Sequence, residues 1–348
     1  MNPTGLRLLF AAVLVLAIGA ALQTRGKPSA ANFPSLAGAT GWLNSPPLAP
    51  EGLRGKVVLV DFWTFTCINW LRTLPYLRAW SAKYKDQGLV IIGVHTPEFG
   101  IEKDVEAIRR SAKEMGVGYP IAIDSDYGIW RAFDNNYWPA LYVFDAQGHL
   151  RHRQFGEGGY EHAEQIVQQL LSEAGARDVP KGLSKIEIRG IEESADALTL
   201  GSPETYVGHA RAERFASPGG AARDQPRTYE FPKDLARNGW ALAGGWTIGA
   251  QAVVSNDRGA RLAYRFHARD LNLVLSPAPA AKAVRFRVLI DGQPPGSAHG
   301  LDVDGAGAGS VTGPRLYQLI RQPAPIVDRR FEIEFLDAGA EVFSFTFG

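Results

Sequence analysis

The run Lys56 to Phe62, KVVLVDF, constrains this chain more than any other stretch. It is almost wholly apolar and rich in β-branched side chains, the pattern of a central strand buried on both faces. Asn69 to Gln87 then places Leu71, Leu74, Leu77 and Trp80 at helical spacing around Pro75, which is expected to kink the helix. GLVIIGVHT reads as a second buried strand. After it come a charged amphipathic helix from Glu102 to Met115, a short strand in PIAID and a short helix from Asp126 to Phe133. ALYVFDAQGHLRHRQF reads as two strands joined by a hairpin turn at Asp145-Ala146-Gln147-Gly148, and a last helix covers Glu161 to Ala174. Strand and helix alternate and then give way to a hairpin and a closing helix, so this part belongs to the α/β class.

With 348 residues the chain exceeds one ordinary domain, and the sequence beyond Tyr206 changes character. Short alternating runs such as ARLAYRFHA, LNLVLS, VRFRVLIDG and RFEIEF are separated by Gly, Pro and Asp turns, which predicts an all-β, jelly-roll-like sandwich. The expected division is residues 1–30 as an export segment, 31–178 as the α/β domain, 179–204 as a linker of small and polar residues, and 205–348 as the sandwich. A net charge of +1 without long runs of one sign gives no pull toward nucleic acid or acidic lipid.

Arg7 followed by an apolar run from Leu8 to Leu22 is an export signal. Its small-residue cleavage options leave both a cleaved signal peptide and a retained membrane anchor open, and either places the body in the periplasm or on the extracytoplasmic face of the cell membrane. Such a compartment is oxidising, and Cys67 is the single cysteine. An internal disulfide is therefore excluded, and Cys67 can bond only to another molecule.

GKVVLVDFWTFTCINWLRTLPYL, GVHTPEF, YWPALYVFDAQG and FGEGGYEHAEQIVQQLL resemble the thioredoxin-like domain of DipZ-type proteins, relatives of the TlpA group of extracytoplasmic thiol-disulfide oxidoreductases. GSPETYVGHAR, GWALAGGW, DVDGAGAG and RLYQLIRQ resemble the carbohydrate-binding-module-like domain that follows it in that family. The resemblance implies a thioredoxin-like fold with an insertion around the Glu102 helix, an active-site turn spanning Trp63 to Trp70, and a cis-proline at Pro139. This sequence departs from the family in two ways: the multi-span membrane domain is absent from it, and the second active-site cysteine corresponds to Trp70.

A thiol at a helix start faces unpaired N–H groups and the positive end of the helix dipole, so the pKa of Cys67 is expected to fall. Arg72 is a candidate for adding positive charge, and Thr64 and Thr66 for donating hydrogen bonds to the sulfur. Asn69 completes the turn, and Trp70 is expected to cover the sulfur or to form an apolar substrate platform. A single thiol can open a disulfide and hold the mixed product, but it cannot resolve that product alone. The favoured function is thus monothiol exchange with an extracytoplasmic protein or a low-molecular-weight thiol or disulfide. Two alternatives stand beside it. A one-cysteine peroxidase draws on Thr64 three residues before the thiol, and a non-catalytic envelope adaptor treats Cys67 as a relic.

In the sandwich, Trp240 and Trp246 are candidate glycan contacts, because exposed indoles stack on sugar rings. Asp302 and Asp304 lie in a loop that lacks the closing Glu of a calcium site, so they read as a plain turn. The seven histidines have no ligand spacing, and no metal or cofactor is expected.

Overall fold

The computed structural model describes residues 33–348, so the export segment expected over residues 1–30 lies outside the described residues. The first region is built on a six-stranded sheet. Its strands are β1 (Gly41–Leu43), β2 (Val57–Trp63), β3 (Leu89–His95), β4 (Ile121–Ile123), β5 (Ala140–Phe144) and β6 (Leu150–Phe155), in the order β1-β4-β3-β2-β5-β6. β2 pairs in parallel with β3 and antiparallel with β5, which puts the KVVLVDF run in the middle of the sheet. The helices are α1 (Pro50–Leu53), α2 (Ile68–Tyr84), α3 (Val105–Glu114), α4 (Gly128–Ala132) and α5 (Tyr160–Glu173). α2 is continuous through Pro75, and α3 starts later than expected because Asp104 caps it by accepting the N–H of Glu106.

Because strand side chains alternate, β2 feeds two cores. Val57, Leu59 and Trp63 pack with α2 and α5, while Val58, Val60 and Phe62 pack on the opposite face with Phe133, Tyr142 and Phe144. Asp61 belongs by parity to the first face, which makes it a carboxyl in a core position.

The second region is a curled antiparallel sheet of eleven strands: β7 (Thr205–Tyr206), β8 (Pro226–Tyr229), β9 (Trp240–Ile248), β10 (Val253–Ser255), β11 (Ala260–Phe266), β12 (Asp270–Pro277), β13 (Val284–Ile290), β14 (Ala308–Val311), β15 (Arg315–Arg321), β16 (Arg329–Phe335) and β17 (Ala340–Phe347). β9 makes the curl. Trp240 to Ala243 pair with β11, whereas Trp246 to Ile248 pair with β10. Between them Gly244 takes φ +87°, a conformation that suits glycine. Along β13, Val284, Phe286 and Val288 are buried while Arg285 and Arg287 are exposed, the alternation expected of a strand with one wet face.

The two regions share apolar contacts, and the described residues pack as one compact unit. Ala252, Val274, Leu316 and Phe343 of the second region join the core beneath α2. The intervening segment is held down too: Arg78 pairs with Glu192 at 2.6 Å, and Arg72 donates to the Glu193 carbonyl at 3.2 Å. Among the described residues no helix is long and apolar enough to cross a membrane.

Candidate functional site

β2 ends at Trp63, and the turn that follows delivers Cys67 as the N-cap of α2, with extended backbone at φ −78° and ψ 112°. The Trp138–Pro139 peptide bond is cis, and Trp138 lies with Cys67 along one cleft of about 450 Å³. Its other wall comes from the second region, through Pro203, Glu204, Tyr206 and Thr346. Cys67 is half-buried there.

The expected fall in thiol pKa is overturned. Burial pushes the Cys67 thiol well up, and the carboxylates of Glu204 and Glu98 add to the rise. Backbone N–H groups of Trp70 and Asn69 do face the sulfur and favour its anion, as a helix start predicts, but they are outweighed. Arg72 offers no help. It is buried with its guanidinium 3.1 Å from Glu157, directed to a carboxylate far away in sequence instead of the thiol. Neither threonine serves the sulfur. Thr66 donates to the Glu102 carboxyl, and the Thr64 hydroxyl is buried without a partner among the described residues. Asn69 lines the cleft, and its carbonyl accepts a hydrogen bond from Thr73 at 2.9 Å.

Trp70 is neither a lid nor a platform. Its side chain is fully buried, stacked on Trp63 with ring centroids 4.2 Å apart, and its Nε1–H donates to Asp61 Oδ2 at 2.8 Å. The physical reason is helix phase: one turn below the N-cap, α2 presents this position to the sheet rather than to solvent. Trp63 is buried for the corresponding reason on β2.

Beneath the turn lies a set of titratable groups that the sequence reading did not single out. Burial raises the Asp61 carboxyl to about 7 against the lowering effect of the Trp70 bond, and its Oδ1 has no partner among the described residues. Burial likewise raises Glu102 to about 7, although it accepts from Thr66 and from the N–H of Phe99 at 2.9 Å. His95 is held neutral by burial, its pKa lowered to about 3, between the edge of Trp63 and the face of Phe65. A signal existed for Asp61, a lone carboxylate inside the apolar run VVLVDFW. Glu102 carried none, because its partners come from separate loops.

At the cleft mouth, Glu98 accepts from the Tyr206 hydroxyl at 2.6 Å and pairs with Arg211 at 3.0 Å. These contacts join the GVHTPEF segment of the first region to the second.

The glycan reading of Trp240 and Trp246 is corrected. Both are fully buried, because Trp240, Leu242, Trp246 and Ile248 share the inward parity of β9. Their indole N–H groups are satisfied internally, by the Glu213 carbonyl at 2.7 Å and the Ala243 carbonyl at 3.0 Å. Asp304 accepts from the N–H groups of Ala306 and Ala308, which is turn chemistry. No cluster able to hold a metal ion occurs among the described residues.

Comparison with known proteins gives matches in both regions. A family model for the AhpC/TSA family matches residues 47–153, and one for a thioredoxin-like C-terminal domain matches residues 202–348. Protein DipZ of Mycobacterium bovis is 36% identical over 323 residues, covering 92% of this chain and 43% of that protein. The chain thus spans less than half the length of that relative. Thiol-disulfide oxidoreductase YkuV of Bacillus subtilis is 36% identical over 141 residues, which is 40% of this chain and 95% of that protein. A solution structure of a thioredoxin-like protein in the oxidized form is also 36% identical, covering 41% of this chain and 97% of its own, with a TM-score of 0.39.

Proposed function

We propose a monothiol exchange chemistry at Cys67, and the premise is that this chain belongs to the thioredoxin-like family of thiol-disulfide oxidoreductases. The Cys67 thiolate attacks a disulfide on an extracytoplasmic protein or small molecule. The partner's S–S bond breaks, a bond to Cys67 forms, and the leaving sulfur departs as thiolate and takes a proton from solvent. Position 70 carries an indole, so an external thiol must release the product. Export by the Arg7 to Leu22 segment belongs to the same proposal and supplies the oxidising compartment.

The observation that carries this reading is the pairing of a half-buried Cys67 on a cleft with a fully buried Trp70 where a resolving thiol would stand. The peroxidase alternative has less support, since the Thr64 hydroxyl on which it draws makes no bond to the sulfur. The adaptor alternative predicts a Cys67 that exchanges with nothing.

The test is mass spectrometry of Cys67 in protein taken from its native compartment after acid quenching. Recovery of Cys67 in disulfide linkage to another molecule supports exchange. Free thiol in every preparation, including one treated with oxidant, contradicts it.

A further inference from the structure

The cleft above Cys67 is walled by two regions of the chain. Asn69 and Trp138 stand on one side, Pro203 and Tyr206 on the other, around a space of about 450 Å³. That volume suits a small molecule or an extended peptide segment; a disulfide packed inside a folded protein would have to bring its attacked sulfur down the cleft with the leaving sulfur in line behind it.

Among the described residues, the charged side chains lining the cleft are Glu98, Glu204 and Arg211. Arg211 lies 3.0 Å from Glu98 and 3.5 Å above the Tyr206 ring, so its charge is matched by Glu98. Burial, with Glu98 beside it, raises the Glu204 carboxyl to about 7, so above that pH Glu204 leaves one carboxylate in excess within a concave site, where field lines are focused. Both carboxylates act on the sulfur itself.

We propose that these walls restrict Cys67 to disulfides on small molecules or extended segments that carry no negative charge beside the sulfur, with Glu204 setting the charge preference. This rests on the exchange reading above. An anionic disulfide meets repulsion on entry and again as the leaving thiolate forms, while a cationic one meets attraction at both points.

The experiment measures second-order rate constants of the reduced full chain with cystamine, hydroxyethyl disulfide and dithiodiglycolate. Each is divided by its rate with an unstructured cysteine peptide, which removes differences in leaving-group chemistry. At low ionic strength and pH 8.5, where Glu204 is ionised, the normalised rate is expected to fall about tenfold from cystamine to dithiodiglycolate, and Glu204→Gln to narrow that ratio to about threefold. A disulfide peptide is expected to outpace the same disulfide within folded insulin by a similar factor. Reaction with hydroxyethyl disulfide but no ordering by charge overturns this inference and leaves the exchange reading standing. Alkylation of Cys67 by iodoacetamide with no reaction toward any disulfide removes both.

Discussion

The ground beneath Cys67 and the apolar cluster around Trp240 and Trp246 are equally dry, and they are made of different materials. In the second region, Trp240 and Trp246 lie among Leu, Val, Ile and Phe side chains, and each indole N–H meets a backbone carbonyl. Under the thiol, Trp70 meets Asp61, and Glu102, His95 and Tyr119 are buried close by with several polar atoms unpartnered among the described residues. A core that only has to be stable avoids such groups, because each costs desolvation free energy. Their concentration under one thiol is the pattern expected of a functional site and supports the reading proposed for Cys67.

The largest expected effect breaks this comparison at Trp70. Trp70→Cys removes a buried indole and is expected to cost about 3–5 kcal/mol of unfolding free energy in a denaturant titration, with Asp61 left unpartnered. Trp63 then faces the resulting cavity. If the variant instead folds at full stability, closes a disulfide to Cys67 and reduces insulin, the site is a dithiol site missing one thiol and has not adapted to the indole.

Next in size is the titration of Asp61. Its carboxyl ionises near 3.8 when unfolded and near 7 when folded, so the folded state holds an extra proton between those values. The stability this contributes is full at low pH and is lost as pH rises through about 7. Asp61→Asn keeps an acceptor for Trp70 and cannot ionise. It is expected to be more stable than the parent at pH 8.5 by on the order of 2–4 kcal/mol and to match it near pH 4. His95 works in the opposite sense: the unfolded imidazole takes a proton near 6.5 that the folded one refuses down to about 3, so acid destabilises the fold through it.

Thr66→Val is a smaller perturbation in the same place. It removes the Thr66 donor from the buried Glu102 carboxyl and is expected to cost about 1–3 kcal/mol, with the loss largest above pH 7, where Glu102 is charged. Equal loss at pH 5 and pH 8 would show that the charge on Glu102 plays no part. Trp246→Phe is the control from the other core. It removes one bond to the Ala243 carbonyl, is expected to cost about 1–2 kcal/mol independently of pH, and leaves Cys67 alkylation unchanged.

These contrasts follow what the sequence could and could not convey. Strand and helix types were legible because they are local: KVVLVDF became β2, DAQG became the β5–β6 turn, and the alternation of VRFRVLI became a strand with one wet face. β1 and α1 escaped notice at three and four residues, too short to show a period. The single-thiol turn was legible from its letters. Its electrostatics were not, because they depend on partners distant in sequence: Glu157 takes Arg72, Glu102 takes Thr66, and Glu204 approaches Cys67 from the second region. Burial of Trp240 and Trp246 could have been read from parity with Leu242 and Ile248, but the Gly244-Gly245 step obscured whether that parity survived the bend.

The measurement closest to the central claim follows one adduct in time. Reduced protein is mixed with hydroxyethyl disulfide at pH 8.5, where more thiolate forms than at neutral pH, freed of reagent, and monitored by intact mass. The account predicts a single mercaptoethanol adduct on Cys67 that persists in buffer and disappears only when an external thiol is added. An adduct that decays without added thiol, or a folded protein that forms none while its unfolded chain is fully labelled, would contradict it.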